Sequence, residues 1–326
     1  MVKIFDVICI GAALVDMIAQ VVRHPYDDDE VFVSDLTILS GGAAANTAYA
    51  CGKMGLSAAF IGKLGQNDIF GNKIINDFKE ASVKTRLIKY SDSYKTGSAY
   101  IALNEKGERR IYAHSGAANY LSKNDLLEEE IAATKLIFLS SLQNIEPLLH
   151  AAKIGRNLNI PVILNPGMLI IDQGFDYIKN LLEKIDILIL SQKEFKTLFN
   201  FKENDLSEDS IRESSASLFA LGMKVIVITL GEKGAFLLTT THDELIQPLK
   251  LEKVIDTTGA GDAFSAGFIY GLVKNLNLKF EHLKNNVKIG NFIAGNCIQK
   301  LGARNGIPRR NELKTFLGNT NTNKKI

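Results

Sequence analysis

Residues 256–264 read Asp-Thr-Thr-Gly-Ala-Gly-Asp-Ala-Phe. Three successive backbone amides, those of Gly259, Ala260 and Gly261, carry almost no side chain and stand just before an apolar segment, 263–273, that reads as a buried helix. Unobstructed amides at a helix N-terminus converge, and the helix dipole adds positive potential, so the pattern is that of an anion site. A carboxylate, Asp262, occupies the same spot. An anion cradle beside a carboxylate is what phosphoryl transfer to a hydroxyl needs. The cradle takes charge on the transferred group, and the carboxylate orients the attacking hydroxyl and accepts its proton. The same residues also suit a plain glycine loop with an aspartate cap, so the rest of the chain has to discriminate.

A second glycine-led segment is Gly41-Gly42-Ala43-Ala44-Ala45-Asn46. Its glycines let a ligand approach the backbone, and Asn46 offers both an acceptor and donors. With Asp16, which follows the first strand, it suits a polyol, whose adjacent hydroxyls need both kinds of partner; a tight turn and a strand-end aspartate are the plainer readings. Thr229-Leu230-Gly231-Glu232-Lys233-Gly234 follows an apolar strand and suits either a nucleotide edge or an ordinary glycine turn. Gly302 reads as the C-cap of the last long helix. Neither G-x-x-x-x-G-K-[ST] nor the protein-kinase set occurs, and Gly11-Ala12-Ala13-Leu14-Val15-Asp16 lacks the dinucleotide-binding fingerprint.

The elements that must position these residues follow from the apolar pattern. Strands are expected at 7–10, 58–61, 136–140, 161–164, 187–190 and 225–229. Helices are expected at 45–54, 71–81, 146–157, 175–182, 193–199, 207–221, 263–273 and 280–300. Their alternation predicts an α/β fold, a doubly wound, mostly parallel sheet covered on both faces. Two strand pairs interrupt it, 14–22 with 30–39 and 97–103 with 109–113, and read as a small separate sheet. A single domain over 1–317 is expected, with these strands inserted at about 14–39 and 97–113, then a polar tail at 318–326. In 326 residues, 46% are hydrophobic and 23% charged, with net charge +2. That is ample for a core, and no basic block marks a nucleic-acid partner. The three cysteines are scattered in apolar contexts, so buried free thiols are expected and a reducing, cytoplasmic location fits. No uninterrupted apolar run reaches membrane-spanning length. The small sheet's exposed face and edges are natural contacts for a homodimer, although the oligomeric state itself is not readable.

In this order and spacing, the glycine-led segments resemble the ribokinase-like (phosphofructokinase-B) family of carbohydrate and nucleoside kinases, over about 2–317. The resemblance implies a doubly wound sheet with a small β lid over the acceptor. It implies Asp262 as catalytic base, with Gly259, Ala260 and Gly261 as the anion hole. It implies acceptor binding by Asp16, Gly41, Gly42 and Asn46. ATP would lie against Thr229, Gly231 and Gly234, with Asn291 facing the adenine. Glu194 would organise Mg²⁺ through water, and Asp256 with the Thr258 carbonyl matches the monovalent-cation (K⁺) position of many members. The chain departs from the family in reading Ser191-Gln192-Lys193-Glu194 where many relatives carry Asn-x-x-Glu. Gln143-Asn144 stands where ribokinase has a glutamate near the acceptor, and Gly167-Met168 offers no cation for a sugar phosphate. The expected activity is transfer of the γ-phosphoryl group of ATP to a primary hydroxyl of a free sugar. Adenosine or another nucleoside is the alternative acceptor; Tyr100, Tyr112 and Phe32 could supply a base platform, and Asn165 and His114 polar contacts. A non-catalytic ligand sensor on a kinase scaffold is the distant alternative.

Overall fold

Strands rich in Val, Ile and Leu with both faces buried belong in a parallel sheet sandwiched between helix layers. The computed structural model describes residues 2–202 and 206–315 and builds such a sheet. In chain order, β1 (Val7–Ile10), β2 (Leu14–Val21) and β3 (Val33–Gly41) lead into α1 (Ala43–Lys53). Next come β4 (Ala58–Ile61), β5 (Lys63–Gly65), α2 (Ile69–Glu80), β6 (Lys89–Ser91), β7 (Thr96–Asn104) and β8 (Arg109–Gly116). The chain continues through α3 (Glu128–Ala132), β9 (Ile137–Ser140), α4 (Glu146–Asn157), β10 (Val162–Asn165), α5 (Met168–Ile171) and α6 (Phe175–Leu182). It goes on with β11 (Ile187–Ser191), α7 (Gln192–Leu198), α8 (Glu208–Ala220), β12 (Val225–Thr229), β13 (Ala235–Thr239) and β14 (Asp243–Ile246). Two long helices, α9 (Ala260–Lys274) and α10 (Phe280–Cys297), follow.

The main sheet has the order β14-β13-β12-β11-β10-β9-β1-β4. It is parallel from β4 to β12, and β13 and β14 add an antiparallel edge. Side-chain alternation sorts β1 between two cores: Val7 and Cys9 pack toward α1, α9 and α10, while Ile8 and Ile10 pack toward α4 and α6. Crossovers leave β1 toward β4 on one side, and β9 to β12 extend on the other, so the order switches between β1 and β9. At such a switch the crevice beyond the carboxyl ends of the strands takes ligands. The two interrupting strand pairs form the smaller lid sheet, β3-β2-β7-β8, each pair antiparallel and joined through a parallel β2–β7 ladder.

The expected strands and helices appear with ends that coincide or shift by at most three residues. The shifts that matter are at α9 and α10. Helix α9 begins at Ala260, so Gly261 and Asp262 lie in its first turn. Helix α10 stops at Cys297 and is capped by Ile298, so Gly302 is not its C-cap. Instead, the Gly302 N–H donates to the Asp256 carboxylate at 2.8 Å. The edge pair β13–β14, which follows the glycine turn at 231–234, has no counterpart among the expected strands. All three cysteines are buried and free, as expected. The tail at 318–326 lies outside the described residues.

Helices α9 and α10 touch through missing side chains. A Cβ on Gly267 would stand 2.8 Å from the Gly290 Cα, and one on Gly290 would stand 2.8 Å from the Phe264 ring and 3.0 Å from its carbonyl oxygen. Phe264 is buried two residues after Asp262, so this contact fixes the start of α9. Gly290→Ala is expected to destabilise the protein by about 1–3 kcal/mol through overpacking. A urea midpoint unchanged from wild type would show that the two helices separate without cost.

Candidate active site

Two helix N-termini meet beyond the carboxyl end of β1. At α1 the N-cap is Gly42, with φ 94°, and a Cβ there would lie 2.5 Å from the Ala12 carbonyl oxygen. Only glycine fits both the conformation and the space. Gly41 leaves room of another kind, since its Cβ would fall 2.2 Å from Oδ2 of Asp16. The bare backbone at 41 is therefore the slot that receives the Asp16 carboxylate from β2. Asn46, buried in the first turns of α1, closes the first helical bond to the Gly42 carbonyl at 2.8 Å.

At α9 the N-cap is Gly259, in the left-handed region at φ 75°. A Cβ there would lie 2.3 Å from that of Ala303, so glycine also permits the close approach of the 302–304 loop. No side chain caps this helix. The Ala260 N–H turns back to the Thr257 carbonyl at 3.2 Å, whereas those of Gly259, Gly261 and Asp262 have no acceptor among the described residues. Gly261 is exposed, with nothing within 4 Å of a Cβ. Open amides at the positive end of a 15-residue helix form a cradle for an anion.

Asn46 connects the two helix starts. Its Nδ2 donates to Oδ2 of Asp262 at 2.9 Å, and the Thr47 hydroxyl reaches the Asp262 carbonyl at 3.4 Å. The Asn46 oxygen accepts from Nε of Arg304 at 2.8 Å. Burial pushes the Asp262 carboxyl up to about 7; the Asn46 hydrogen bond and the Arg304 charge pull it back, while Glu194 and Asp16 push it higher. Burial likewise lifts Asp16 to about 6, against the pull of Arg304. A half-buried carboxylate titrating near neutrality beside a cradle for negative charge is equipped to accept a proton from a hydroxyl.

The residues expected at the nucleotide and cation positions line the same end of the sheet. Ser191 and Thr229 are register partners at the ends of β11 and β12. Ser191 caps α7 in a reciprocal box: the Ser191 N–H donates to Oε2 of Glu194 at 2.6 Å and the Glu194 N–H to the Ser191 hydroxyl at 3.2 Å. Ser191 thus ties down one oxygen of Glu194. After Thr229, Gly231 is open to solvent, whereas a Cβ on Gly234 would lie 2.2 Å from the Ile246 carbonyl oxygen. Asn291 lies alongside on α10, and its Nδ2 donates to the Ile246 and Gln247 carbonyls at 3.2 and 3.1 Å. Asp256 accepts from the Thr258 N–H at 3.0 Å, the Thr258 hydroxyl at 2.7 Å and the Gly302 N–H, with Arg109 of β8 at 3.5 Å. Burial raises the Asp256 carboxyl, but these donors and Arg109 outweigh it and hold the group below its ordinary range. No cluster of three or more metal-ligating side chains occurs among the described residues. Magnesium held mainly by phosphates and water needs no such cluster.

Sequence reasoning missed Arg304. It stands in a segment that looked like helix punctuation, and its partners are far away in the chain. The buried guanidinium sits over the rings of Tyr49 and Phe78 at 5.0 and 5.7 Å. The acceptor-side positions Gln143 and Asn144 are exposed, and Asn165 uses its amide on the Ile189 carbonyl.

Comparison with known proteins agrees with this architecture. The family described as pfkB family carbohydrate kinase matches residues 5–310. A ribokinase of Staphylococcus aureus is 28% identical over 310 residues, covering 94% of this chain and 98% of its own. The structure of Arabidopsis thaliana ribokinase complexed with ribose and ATP superposes with a TM-score of 0.84 at 25% identity, covering 97% of this chain and 99% of that one. Adenosine kinase of Sinorhizobium meliloti shares the fold, with a TM-score of 0.77 at 23% identity over 96% of this chain and 99% of that one. The family match over nearly the whole chain shows that it belongs to the pfkB family of carbohydrate kinases, phosphotransferases that act on a hydroxyl acceptor.

Proposed function

We propose that the protein transfers the γ-phosphoryl group of ATP to a primary hydroxyl of a free sugar, with Asp262 as general base. The observation that carries this reading is the placement of Asp262 in the first turn of α9, next to amides without acceptors and bound by Asn46. Oδ2 is engaged by Asn46, which leaves Oδ1 to receive the acceptor's hydroxyl and take its proton. The N–H groups of Gly259, Gly261 and Asp262 stabilise charge on the transferred group. Asp16, seated against Gly41, offers a second acceptor for sugar hydroxyls. Thr229, Gly231 and Gly234, with Asn291 beside them, would border the nucleotide. Glu194 would hold Mg²⁺ through water, and the ion supplies charge neutralisation at the phosphates.

A monovalent cation beside Asp256 and the Thr258 carbonyl would have to share a carboxylate that already accepts protein hydrogen bonds, so potassium dependence is a matter for titration. The absence of lysine or arginine at Gly167-Met168 supports an unphosphorylated acceptor. A nucleoside acceptor would need a platform for its base. Phe32 and Tyr112 are 88% and 67% exposed, which leaves the free sugar as the better-supported class. The family membership and the intact base and cradle support catalysis over mere sensing.

ADP release is expected with Mg²⁺, ATP and a panel of ribose, 2-deoxyribose, fructose and adenosine, with a sugar giving the highest kcat/KM. Binding of panel members without turnover, in the presence of K⁺, would favour a sensor instead. The Asp262 value near 7 makes kcat/KM fall about tenfold per pH unit below that point, as the base becomes protonated. Asp262→Asn should lower kcat roughly 10²–10⁴-fold with substrates still bound, and turnover close to wild type would refute the assignment. The same substitution should stabilise the fold at alkaline pH. The native state binds more protons than the unfolded chain between 3.8 and about 7, so ionising Asp262 costs stability as pH rises through that window. Thermal melts should show the variant's advantage largest above pH 7 and vanishing toward pH 4.

A further inference from the structure

We propose that Arg304 is a positioning residue for the reaction, setting the orientation of Asn46 and supporting the ionised form of Asp262. The inference rests on Asp262 being the base. A guanidinium has donors and no acceptor, and an ionised carboxylate has acceptors and no donor. Asn46 sits between one of each, so its amide satisfies both neighbours in only one orientation: oxygen toward Arg304, nitrogen toward Asp262. The 2.8 and 2.9 Å contacts show that arrangement. With the amide reversed, its oxygen would face the carboxylate and push the base out of line.

The surroundings of Arg304 argue against packing as its purpose. The residue is 7% exposed, and Nη1 and Nη2 make no hydrogen bond. Asp77 of α2 comes within 3.6 Å of Nη1, but its Oδ2 already accepts from the Ser40 hydroxyl at 2.6 Å. Desolvation drags the guanidinium down to about 10 despite Asp77, Tyr49, Asp262 and Asp16. An apolar chain of similar length between Tyr49 and Phe78 would pack without that penalty. The groups bearing on Asp262 are Asn46 from α1, Glu194 from α7, Asp16 from β2 and Arg304. Arg304 is the cation among them, set against two like charges. Lys53 of α1 fastens the segment from outside, donating to the Arg304 carbonyl at 3.3 Å.

The test measures kcat, KM and the pH dependence of kcat/KM for the full chain, Arg304→Met, Arg304→Gln and Asp262→Asn. The acceptor is whichever of ribose, 2-deoxyribose, fructose or adenosine supports turnover. Arg304→Met should lower kcat roughly 10–100-fold, with KM values for ATP and acceptor within about threefold of wild type. It should also move the acidic limb upward by roughly half to one pH unit, because the opposing cation is gone. Arg304→Gln can still donate to the Asn46 oxygen, so it should recover part of kcat while keeping the shifted limb. A folded Arg304→Met whose acidic limb stays at the wild-type pH overturns the inference. Should that variant fail to fold, the limb of Arg304→Gln decides in the same way. If Asp262→Asn loses turnover while the Arg304 variants leave the limb unmoved, only the role of Arg304 falls. If Asp262→Asn turns over normally, the base assignment itself is wrong.

Discussion

The hydrogen bond from Asn46 to Asp262 ties together the starts of α1 and α9, two helices that pack in one core. Burial and the negative charges of Asp16 and Glu194 oppose an ionised Asp262; the amide and the cation behind it support one. For that bond to form, α1 must start where Gly42 can turn back over Ala12. Helix α9 must start where Gly259 can lie against Ala303. The Gly259–Ala303 contact also carries Arg304 to the far side of Asn46. A Cβ at either glycine would separate the helix starts and leave the carboxylate without its donor. Strain and desolvation of this kind gather where a protein holds reactive groups ready.

The sequence makes the frame of this site plain and its wiring obscure, for physical reasons. Strands β1, β9, β10, β11 and β12 are buried on both faces, so each reads as a short unbroken apolar run. The glycines at 41, 42, 259 and 261 are legible because a bare backbone just before an apolar helix leaves room for something to approach it closely. Strand β14, Asp-Glu-Leu-Ile, is half-buried at the sheet edge and carries no such signal. Arg304 is illegible on different grounds. It is 258 positions from Asn46, and Asn46 is 216 from Asp262, so no local period or spacing encodes either bond. Asn46 itself stands out in the sequence as a polar residue in an apolar helix, but there it looks like a ligand contact. In the folded chain its amide nitrogen and its oxygen are both turned to protein groups.

At the ends of β11 and β12 a short side chain sets the position of its neighbour. The Ser191 hydroxyl caps α7 by accepting from the Glu194 N–H. The cap draws Glu194 back against the Ser191 amide, so the glutamate presents a fixed oxygen rather than a swinging one. Asn291 is committed in a similar way to the end of β14, where it holds the carbonyl that crowds Gly234. Both side chains hold backbone shape at the carboxyl end of the sheet.

The contact between Arg109 and Asp256 joins the lid sheet to the segment that leads into α9. Arg109 is the first residue of β8, its side chain is 46% exposed, and it approaches Asp256 at 3.5 Å. Asp256 is buried and already accepts from closer donors, whereas the Arg109 end of the pair stands in water and is open to screening by salt. Without Arg109, Asp256 would still hold its Thr258 and Gly302 donors, so the loop ahead of α9 keeps its shape whether or not β8 rests on it.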